Sequence, residues 1–160
     1  RDWMAALPDV ISYHHAGARY AVIHGGMTDI SRFLWPTSPE VDFAAEIGAI
    51  EAAIGPVDAV IAGHCGLAFE RRIGAHWWIN AGAIGMPPND GDVRGAYAIL
   101  AQGQLTFHRL RYDQTRAAAA MRAAGLVQGY ERALETGYWP SEDVLPVPLR
   151  RAARASGCAS

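Results

Sequence analysis

The stretch Val57 to Gly66, with the sequence VDAVIAGHCG, decides the fold of this chain. A short, continuous apolar run between Pro56 and Gly63 is typical of a β-strand that is buried on both faces, as in a parallel sheet covered by other layers. The strand is expected to end just before His64, where rigid backbone holds the imidazole and the adjacent glycines let the chain turn away. The sequence therefore predicts an α/β domain with His64 at one edge of its sheet.

The same pattern of apolar strand, histidine and glycine occurs forty residues earlier, in the run Ala21 to Gly26 with the sequence AVIHGG. Ligands of open α/β sheets collect at the carboxyl ends of the strands. Two neutral imidazoles from neighbouring strands, His24 and His64, are therefore suited to hold one transition-metal ion together. A single histidine at a strand end is more often structural. The repeated context favours a metal site, but spacing alone leaves both interpretations open.

The remaining apolar periodicities and turn residues predict a layered protein. The predicted elements are a hairpin (9–13 and 19–23), a helix (41–54), strands at 57–62, 69–73 and 75–79, a second hairpin (95–101 and 104–112), and helices at 115–124 and 130–136. The buried face of the helix 41–54 is expected to contain Val41, Ala44, Ala45, Ile47, Gly48 and Ile54. This order of elements predicts the α/β class, with a layered mixed β-sheet sandwich flanked by helices.

Composition limits the class of protein. The chain has 160 residues, of which 51% are hydrophobic and 19% charged, and this favours one ordinary globular core. Its 14 basic and 16 acidic residues are interspersed, so the sequence predicts neither a nucleic-acid partner nor a membrane partner. The apolar runs are shorter than the roughly 20 residues of a membrane helix, and no secretory signal pattern is found. A cytoplasmic location is predicted.

The two ends of the sequence lead to separate expectations. Arg1 begins a helix-like segment, so the numbered chain is expected to start inside a larger protein. Residues 1–137 are expected to form the carboxy-terminal portion of a domain. Residues 138–160 contain several prolines and a Gly/Ser/Ala end, and they are expected to form an ordered turn followed by a flexible tail. Cys65 and Cys158 are too few and too far apart to indicate a disulfide framework.

Three runs of sequence carry a resemblance to a known family. Ala21 to Gly26, Val60 to Phe69 and Trp78 to Pro87 (WINAGAIGMP) resemble, in order and spacing, the late motifs of the calcineurin-like metallophosphoesterases. The similarity is greatest to the bacterial small-phosphodiesterase branch. In that family these motifs are a strand-end His-Gly, a Gly-His-x-His about forty residues later, and an Asn-x-Gly-Ser-x-Gly-type loop. The resemblance covers approximately Asp9 to Tyr112 and implies a metallophosphoesterase-like fold.

The resemblance also implies roles for individual residues. His24 and His64 would be ligands of one metal, and Gly66 stands where the family's second histidine would bind the other metal. Gly25, Cys65, Gly66 and Asn80 would lie at the rim of the site or near the substrate. The implied cofactor is a divalent transition metal, two ions per complete site, from among Mn, Fe, Zn and Ni. The catalytic residues themselves stay unknown.

The family's earlier motifs, an Asp-x-His, a Gly-Asp and a Gly-Asn, do not occur in these 160 residues. The amino-terminal part of the domain is therefore expected to be absent from this chain and to come from a preceding segment or a partner chain. The implied function is metal-assisted hydrolysis of a small phosphate monoester or phosphodiester by a dinuclear site completed outside this chain. The alternative is a catalytically weak or inactive scaffold, like the phosphoesterase-like subunit of retromer. A third reading is an unrelated α/β domain in which the two histidines do not meet.

Several other residues have a functional and a structural interpretation. Phe33 and Trp35, in the loop after His24, would either cap a substrate ring or pack onto the core. Arg71 and Arg72 would either bind an anion or pack against the facing tryptophans. The other four histidines are interpreted as surface or structural residues: His14, His15, His76 and His108.

Overall fold

The computed structural model describes residues 2–126 and 128–151. The elements of its amino-terminal half are α1 (Asp2–Ala5), β1 (Ile11–His15), β2 (Ala18–Val22), α2 (Glu40–Ile54), β3 (Ala59–Ala62), β4 (Ala68–Ile73) and β5 (His76–Ala81). They are followed by β6 (Gly95–Ala101), β7 (Gln104–Leu110), α3 (Gln114–Ala123), α4 (Tyr130–Thr136) and a short 3₁₀ helix (Val147–Leu149). Each predicted strand and helix is present, with small shifts at its ends.

A five-stranded mixed sheet, ordered β1-β2-β3-β5-β4, organises the first part of the chain. Strands β2, β3 and β5 are parallel to one another, and the outer strands β1 and β4 are antiparallel to their neighbours. Because the three central strands are parallel, their carboxyl ends meet at one edge of the sheet. His24, His64 and Asn80 lie at or just beyond those ends.

The central strands alternate their side chains between two buried layers. On one face, Ala21, Val60 and Trp78 pack with Phe43, Ile47 and Ile50 of α2. On the other face, Tyr20, Ala59, Trp77 and Ile79 pack with Leu100 of β6 and Leu105 of β7. Strands β6 and β7 form their own two-stranded sheet. This confirms the predicted layered α/β architecture with two sheets and flanking helices.

The predicted buried face of α2 was right for Ile47 and in part for Ile54, and wrong for Val41, Ala44, Ala45 and Gly48, which are exposed. Phe43, Glu46, Ile47 and Ile50 are buried, whereas Val41 is 71% exposed. The prediction followed small residues, but the large side chains of Phe43 and Ile50 fill the layer against the sheet and so fix the rotation of the helix. The helix ends at Gly55, whose φ is 82°, and Arg19 of β2 donates to the carbonyls of Ile54 and Pro56.

The chain divides into two compact units. One contains Arg1–Gly82 and Ala98–Phe107, and the other contains Ala83–Tyr97 and His108–Ser160. In the second unit, the backbone N–H of Trp139 donates to Asn89 and its indole N–H to the Pro87 carbonyl, at 2.8 and 2.7 Å. Trp139 and Leu145 are buried there. Of the predicted flexible tail, residues 152–160 lie outside the described residues, and so does Cys158.

No helix within residues 2–126 and 128–151 combines the length and apolar character needed to cross a membrane.

Candidate metal centre

His24 and His64 lie side by side at the carboxyl edge of the parallel strands. Nε2 of His24 is 3.1 Å from Nδ1 of His64, and the ring centroids are 4.9 Å apart with the planes inclined by 64°. Metal–imidazole bonds are about 2.0–2.1 Å long, so two nitrogens on one ion are roughly 2.8–3.4 Å apart, from octahedral to tetrahedral angles. The observed separation fits two ligands of one ion. A simple N–H···N hydrogen bond between the rings also has this length.

The pairing of β2 with β3 explains why the rings meet. Val22 is in register with Ile61, and the ladder continues beyond the strands, where the Gly63 N–H donates to the His24 carbonyl at 2.8 Å. His24 and His64 therefore start from adjacent points of a fixed backbone. Forty residues of sequence separation become one contact because parallel strands bring their ends to the same edge.

His64 has an unusual backbone conformation. Its φ is 62°, and the Cys65 N–H donates to the Gly63 carbonyl at 2.7 Å, which closes a three-residue γ turn around His64. A non-glycine residue in this region costs about 1–3 kcal/mol, and such residues concentrate at functional sites. The turn aims the imidazole back toward His24.

Asn80 links two of the loops at the site. Its amide nitrogen donates to the Gly63 carbonyl at 2.6 Å, and its side-chain oxygen accepts from the Gly82 N–H at 3.0 Å. The residue is only 1% exposed. The buried amide thus satisfies two backbone groups and holds the residue that precedes His64.

The loop after His24 is anchored by Glu46, a residue that the sequence analysis missed. The Glu46 carboxylate, fully buried on α2, accepts from Met27 N–H at 2.6 Å, Thr28 N–H at 2.9 Å and the Thr28 hydroxyl at 2.5 Å. It also pairs with the Arg32 guanidinium at 2.8 Å. A charged residue in the i, i+3, i+4, i+7 stripe of Phe43, Glu46, Ile47 and Ile50 was the available signal.

These contacts set the charge state of Glu46. Burial by itself raises the pKa of a carboxyl group, but the hydrogen bonds from Thr28 and Met27 and the charge of Arg32 outweigh it and hold the pKa of Glu46 below its ordinary value. Glu46 is therefore an anion at neutral pH. It is not at the metal centre, and it acts by fixing the loop.

Gly25 and Gly26 allow this loop to fold back closely. A Cβ at Gly25 would lie 2.5 Å from the Ile30 carbonyl oxygen and 3.1 Å from Cβ of His64. At Gly26 it would lie 2.9 Å from the Asp29 carbonyl oxygen. Any side chain at Gly25 would therefore push the loop and His64 apart. The glycine that was placed at the rim serves close backbone packing here.

Cys65 and Gly66 offer no further donor to the site. Burial raises the pKa of the Cys65 thiol to about 11, and its Sγ lies 3.7 Å from the Leu67 carbonyl oxygen. In this conformation the thiol is directed at the Leu67 carbonyl and remains protonated at neutral pH in the absence of a metal. Gly66 has a φ of 75° and no side chain. The thiol is buried rather than presented at a rim.

Within the part of the chain that the structure describes, no group of three or more His, Cys, Asp and Glu residues is arranged to hold a metal ion. Asp29 is an acidic residue close enough to His64 to interact with it electrostatically. Its pKa is lowered mainly by hydrogen bonds from the backbone and hydroxyl of Ser31, and less by His64 and Arg32. The two imidazoles thus fit a metal as a pair of nitrogen ligands, but the described donor set does not complete a coordination sphere.

The residues interpreted as structural lie away from the histidine pair. His76 contacts Glu51 at 3.2 Å, and the His15 ring accepts from Gly103 N–H at 3.4 Å. The Arg72 guanidinium lies 4.8 Å from the Trp77 ring, as the cross-strand interpretation predicts. Arg71 instead lies over Phe43 and donates to the Ser38 carbonyl.

Comparison with solved structures identifies the fold. A metallophosphoesterase from Sphaerobacter thermophilus matches 85% of this chain with a TM-score of 0.68 and 23% sequence identity, and the match covers 60% of that protein. A hypothetical protein from Pyrococcus horikoshii OT3 matches 85% of this chain with a TM-score of 0.68 and 13% identity, and the match covers 53% of that protein. No protein-family model matches the sequence, and no similarity to a curated protein sequence is found.

These similarities show a fold. The chain has the metallophosphoesterase-like fold, as the sequence resemblance implied. It spans only about 60% and 53% of the lengths of the two proteins. Activity, metal content and substrate do not follow from this level of identity.

Proposed function

We propose that this chain supplies two histidine ligands, His24 and His64, to the metal centre of a phosphoesterase. The observation that carries the proposal is the 3.1 Å separation of His24 Nε2 and His64 Nδ1 at the carboxyl edge of a parallel sheet. The metallophosphoesterase-like fold supports the same conclusion. The ion is a divalent transition metal, since imidazole is a favourable ligand for Zn, Fe, Ni and Mn.

The other ligands of this centre are proposed to come from protein outside the 160 residues, either on the same polypeptide or on a partner chain. Two neutral nitrogens seldom bind a divalent ion tightly, and most protein sites of this type have three or four ligands. A bound ion of this kind supplies Lewis acidity and lowers the pKa of bound water, which is the chemistry that hydrolysis of a phosphate ester requires. Gly66 provides no side chain for a second ion, so a second ion would also depend on ligands from elsewhere.

The chain's own contribution is to hold two imidazoles in place before metal binds. The Asn80 amide and the γ turn fix the backbone of His64. Glu46 fixes the loop that follows His24. Preorganised ligands lose less conformational entropy on binding, so this support favours metal affinity.

The proposed substrate is a small phosphate monoester or phosphodiester. The interspersed charges and the formal net charge of −2 do not create a basic surface that would favour a nucleic acid. A cytoplasmic location stays a prediction from composition. Residues of the loops that surround the edge of the sheet are proposed to determine substrate preference.

The first test is metal binding by the full chain after treatment with a chelator. Zn²⁺ and Mn²⁺ are titrated by calorimetry into the wild type and into His24→Ala, His64→Ala and His14→Ala variants. We expect weak binding in the wild type, a loss of at least about 10-fold in each of the first two variants, and no change in the third. His14 is a matched control because it is an exposed histidine on β1.

Equal binding by the wild type and the His64→Ala variant would contradict the proposal. If the wild type does bind, hydrolysis is then measured in a protein that also contains the additional ligands. Bis-p-nitrophenyl phosphate reports diesterase activity and p-nitrophenyl phosphate reports monoesterase activity. Both activities are expected to disappear in the His64→Ala variant.

A second candidate function is a phosphoesterase-like scaffold or binding module. Two observations favour it: the described residues contain no group of three metal-binding side chains, and position 66 is glycine. A scaffold requires no metal. It predicts no heat of binding for Zn²⁺ or Mn²⁺ and an unchanged thermal stability when either ion is added.

A further inference from the structure

The His64 ring is not held by a hydrogen bond at its second nitrogen. Nδ1 faces His24, but among the described residues no hydrogen-bond partner lies within reach of Nε2, which is buried. Histidines that bind metals usually donate their other ring N–H to a carboxylate or a carbonyl, and this bond fixes the orientation of the ring. Apart from the turn and the Nδ1 contact, the orientation of the His64 ring therefore depends on nonpolar contacts.

Phe33 supplies such a contact. Its ring centroid lies 4.5 Å from that of His64, with the planes inclined by 35°. Phe33 is itself stacked on Trp35, with centroids 5.1 Å apart and planes within 3° of parallel. Trp35 is 6% exposed, so the series Trp35, Phe33 and His64 runs from the protein interior to the candidate metal centre. Stacked and tilted ring pairs at these distances are favourable.

The loop that carries Phe33 is fixed at both ends. On the amino side, Glu46 binds Met27, Thr28 and Arg32. On the carboxyl side, Trp35 N–H donates to the Ser38 hydroxyl at 2.9 Å, and the Ser38 carbonyl accepts from Arg71 of β4 at 2.5 Å. Phe33 lies between these two anchors, which restrain the backbone that carries its ring.

We infer that Phe33 is a positioning residue for His64, holding the imidazole against His24 by ring contact in place of a hydrogen bond. Phe33 touches neither metal nor substrate in this role. The inference rests on the proposed function for its effect on metal affinity, while its effect on ring orientation is independent of metal.

The test compares three variants of the full chain by NMR. In wild-type protein labelled with ¹³C and ¹⁵N, we expect a nuclear Overhauser effect between the ring protons of His24 and His64, assigned with the His64→Ala variant. In Phe33→Leu, which keeps an apolar side chain, this effect is expected to weaken or disappear. In Phe33→Tyr, which keeps the ring, it is expected to persist. Phe107→Leu is the control, because Phe107 is 39% exposed and Phe33 is 40% exposed.

Titration with Zn²⁺ provides the second measurement. Phe33→Leu is expected to lower the affinity by about 10-fold, the usual effect of removing a residue that orients a ligand. Phe33→Tyr and Phe107→Leu are expected to retain wild-type affinity. Circular dichroism and thermal unfolding establish that each variant is folded. If Phe33→Leu does not fold, the inference is tested by comparing Phe33→Tyr with the wild type.

An unchanged His24–His64 effect in Phe33→Leu overturns the inference, and so does its loss in Phe33→Tyr. If the wild type binds no Zn²⁺, the proposed function fails, and the NMR comparison still decides whether Phe33 positions His64. The two failures are thus distinguishable.

Discussion

The ends of β2 and β3 present the same sequence pattern, an apolar strand followed by histidine and glycine, yet the structure holds the two histidines by different means. After His24 the chain enters a loop that a buried carboxylate on α2 secures through four donors. After Gly63 the chain makes a γ turn with His64 in a positive φ, secured by the Asn80 amide. Similar local sequences can therefore present similar side chains through unrelated support.

The two strand ends differ in the kind of interaction that stabilises them. At His24 the support is electrostatic, and it depends on burying one charge with its partners. At His64 the support is a pair of neutral hydrogen bonds that opposes backbone strain. Substitutions and pH changes at each strand end separate these two kinds of support.

Glu46→Ala should destabilise the protein most. Arg32 keeps its ion pair with Asp42, but the change leaves the Met27 N–H, the Thr28 N–H and the Thr28 hydroxyl without their buried acceptor. Hydrogen bonds to a charged group contribute about 1.5–3 kcal/mol each, so a loss of about 4 kcal/mol is expected. The free energy of unfolding is measured by urea denaturation, and the loss should appear with little change in the slope.

Glu135→Ala is the control for that measurement. Glu135 also pairs with an arginine, Arg122, at 2.6 Å, but both side chains are more than a third exposed. Its removal is expected to cost less than about 1 kcal/mol. Equal losses in the two variants would show that the Glu46 anchor is no stronger than a surface pair.

The stability contributed near the two strand ends should be lost at opposite ends of the pH scale, at alkaline pH near Cys65 and at acidic pH near Glu46. The pKa of Cys65 is raised by burial to about 11, above the roughly 8.5 of an unfolded thiol. Its contribution to stability is complete below about pH 8.5 and is lost as the pH rises toward 11, by about 3 kcal/mol. The measurement compares urea denaturation of Cys158→Ser with that of Cys65→Ala/Cys158→Ser from pH 7 to 11.

The stability that Glu46 contributes depends on pH in the opposite direction. Its folded pKa lies below the unfolded value of about 4.3, so its contribution is present above that pH and is lost as the pH falls through the folded pKa. The Glu46→Ala variant should therefore show a smaller loss of stability on acidification than the wild type.

For Cys65, the contradicting result is a loss of stability at alkaline pH that is the same with and without the thiol.

Asn80→Ala should cost about 2 kcal/mol, because it removes one of the two hydrogen bonds to the Gly63 carbonyl, which keeps the bond from the Cys65 N–H, and leaves the Gly82 N–H without its Asn80 acceptor. Hydrogen exchange at the amides of Gly82 and Cys65 should accelerate. Asn80→Asp retains the acceptor for Gly82 but places a carboxylate against the Gly63 carbonyl. It should therefore be no more stable than Asn80→Ala, and a wild-type stability of Asn80→Asp would argue against the role of the donated bond.

The smallest expected effect comes from backbone strain. The difference in stability between the glycine and alanine variants should have opposite signs at His64 and His24. The described non-glycine residues with positive φ are Ala16, His64, Asn89 and Gln102, and His24 is not among them. His64→Gly should be about 1 kcal/mol more stable than His64→Ala, whereas His24→Gly should be about 0.5–1 kcal/mol less stable than His24→Ala. Thermal unfolding of the four variants measures both differences, and the same sign at both sites would exclude strain as the distinction.

Sequence patterns predicted the elements well because each depends on local chemistry. The apolar run of β3 ends where Gly63 stops it, and the helix Glu40–Ile54 ends at Gly55 and Pro56. The rotation of α2 was not predictable in the same way. It depends on which side chains fill the space over Ala21, Val60 and Trp78, and these residues come from three separate strands.

The candidate site shows the same limit. Histidine at two strand ends predicted that an imidazole pair could form, and the assignment of metal binding stays a prediction. Sequence patterns assigned Glu46 no role and did not connect Phe33 with His64, because the partners of these residues lie between 14 and 31 residues away and are reached only through the folded loop. The positive φ of His64 is likewise a consequence of its turn and has no marker in the residue type.

The sequence by itself determined the order of strands and helices, the parallel core and the placement of His24 and His64 after apolar strands, because hydrophobic periodicity and glycine act over a few residues. The tertiary structure alone decided that the two rings lie 4.9 Å apart, that Glu46 is buried and that Phe33 covers His64. Those features arise from packing between distant segments, where the cost of burying a charge or straining a turn is balanced only once the whole sheet has formed.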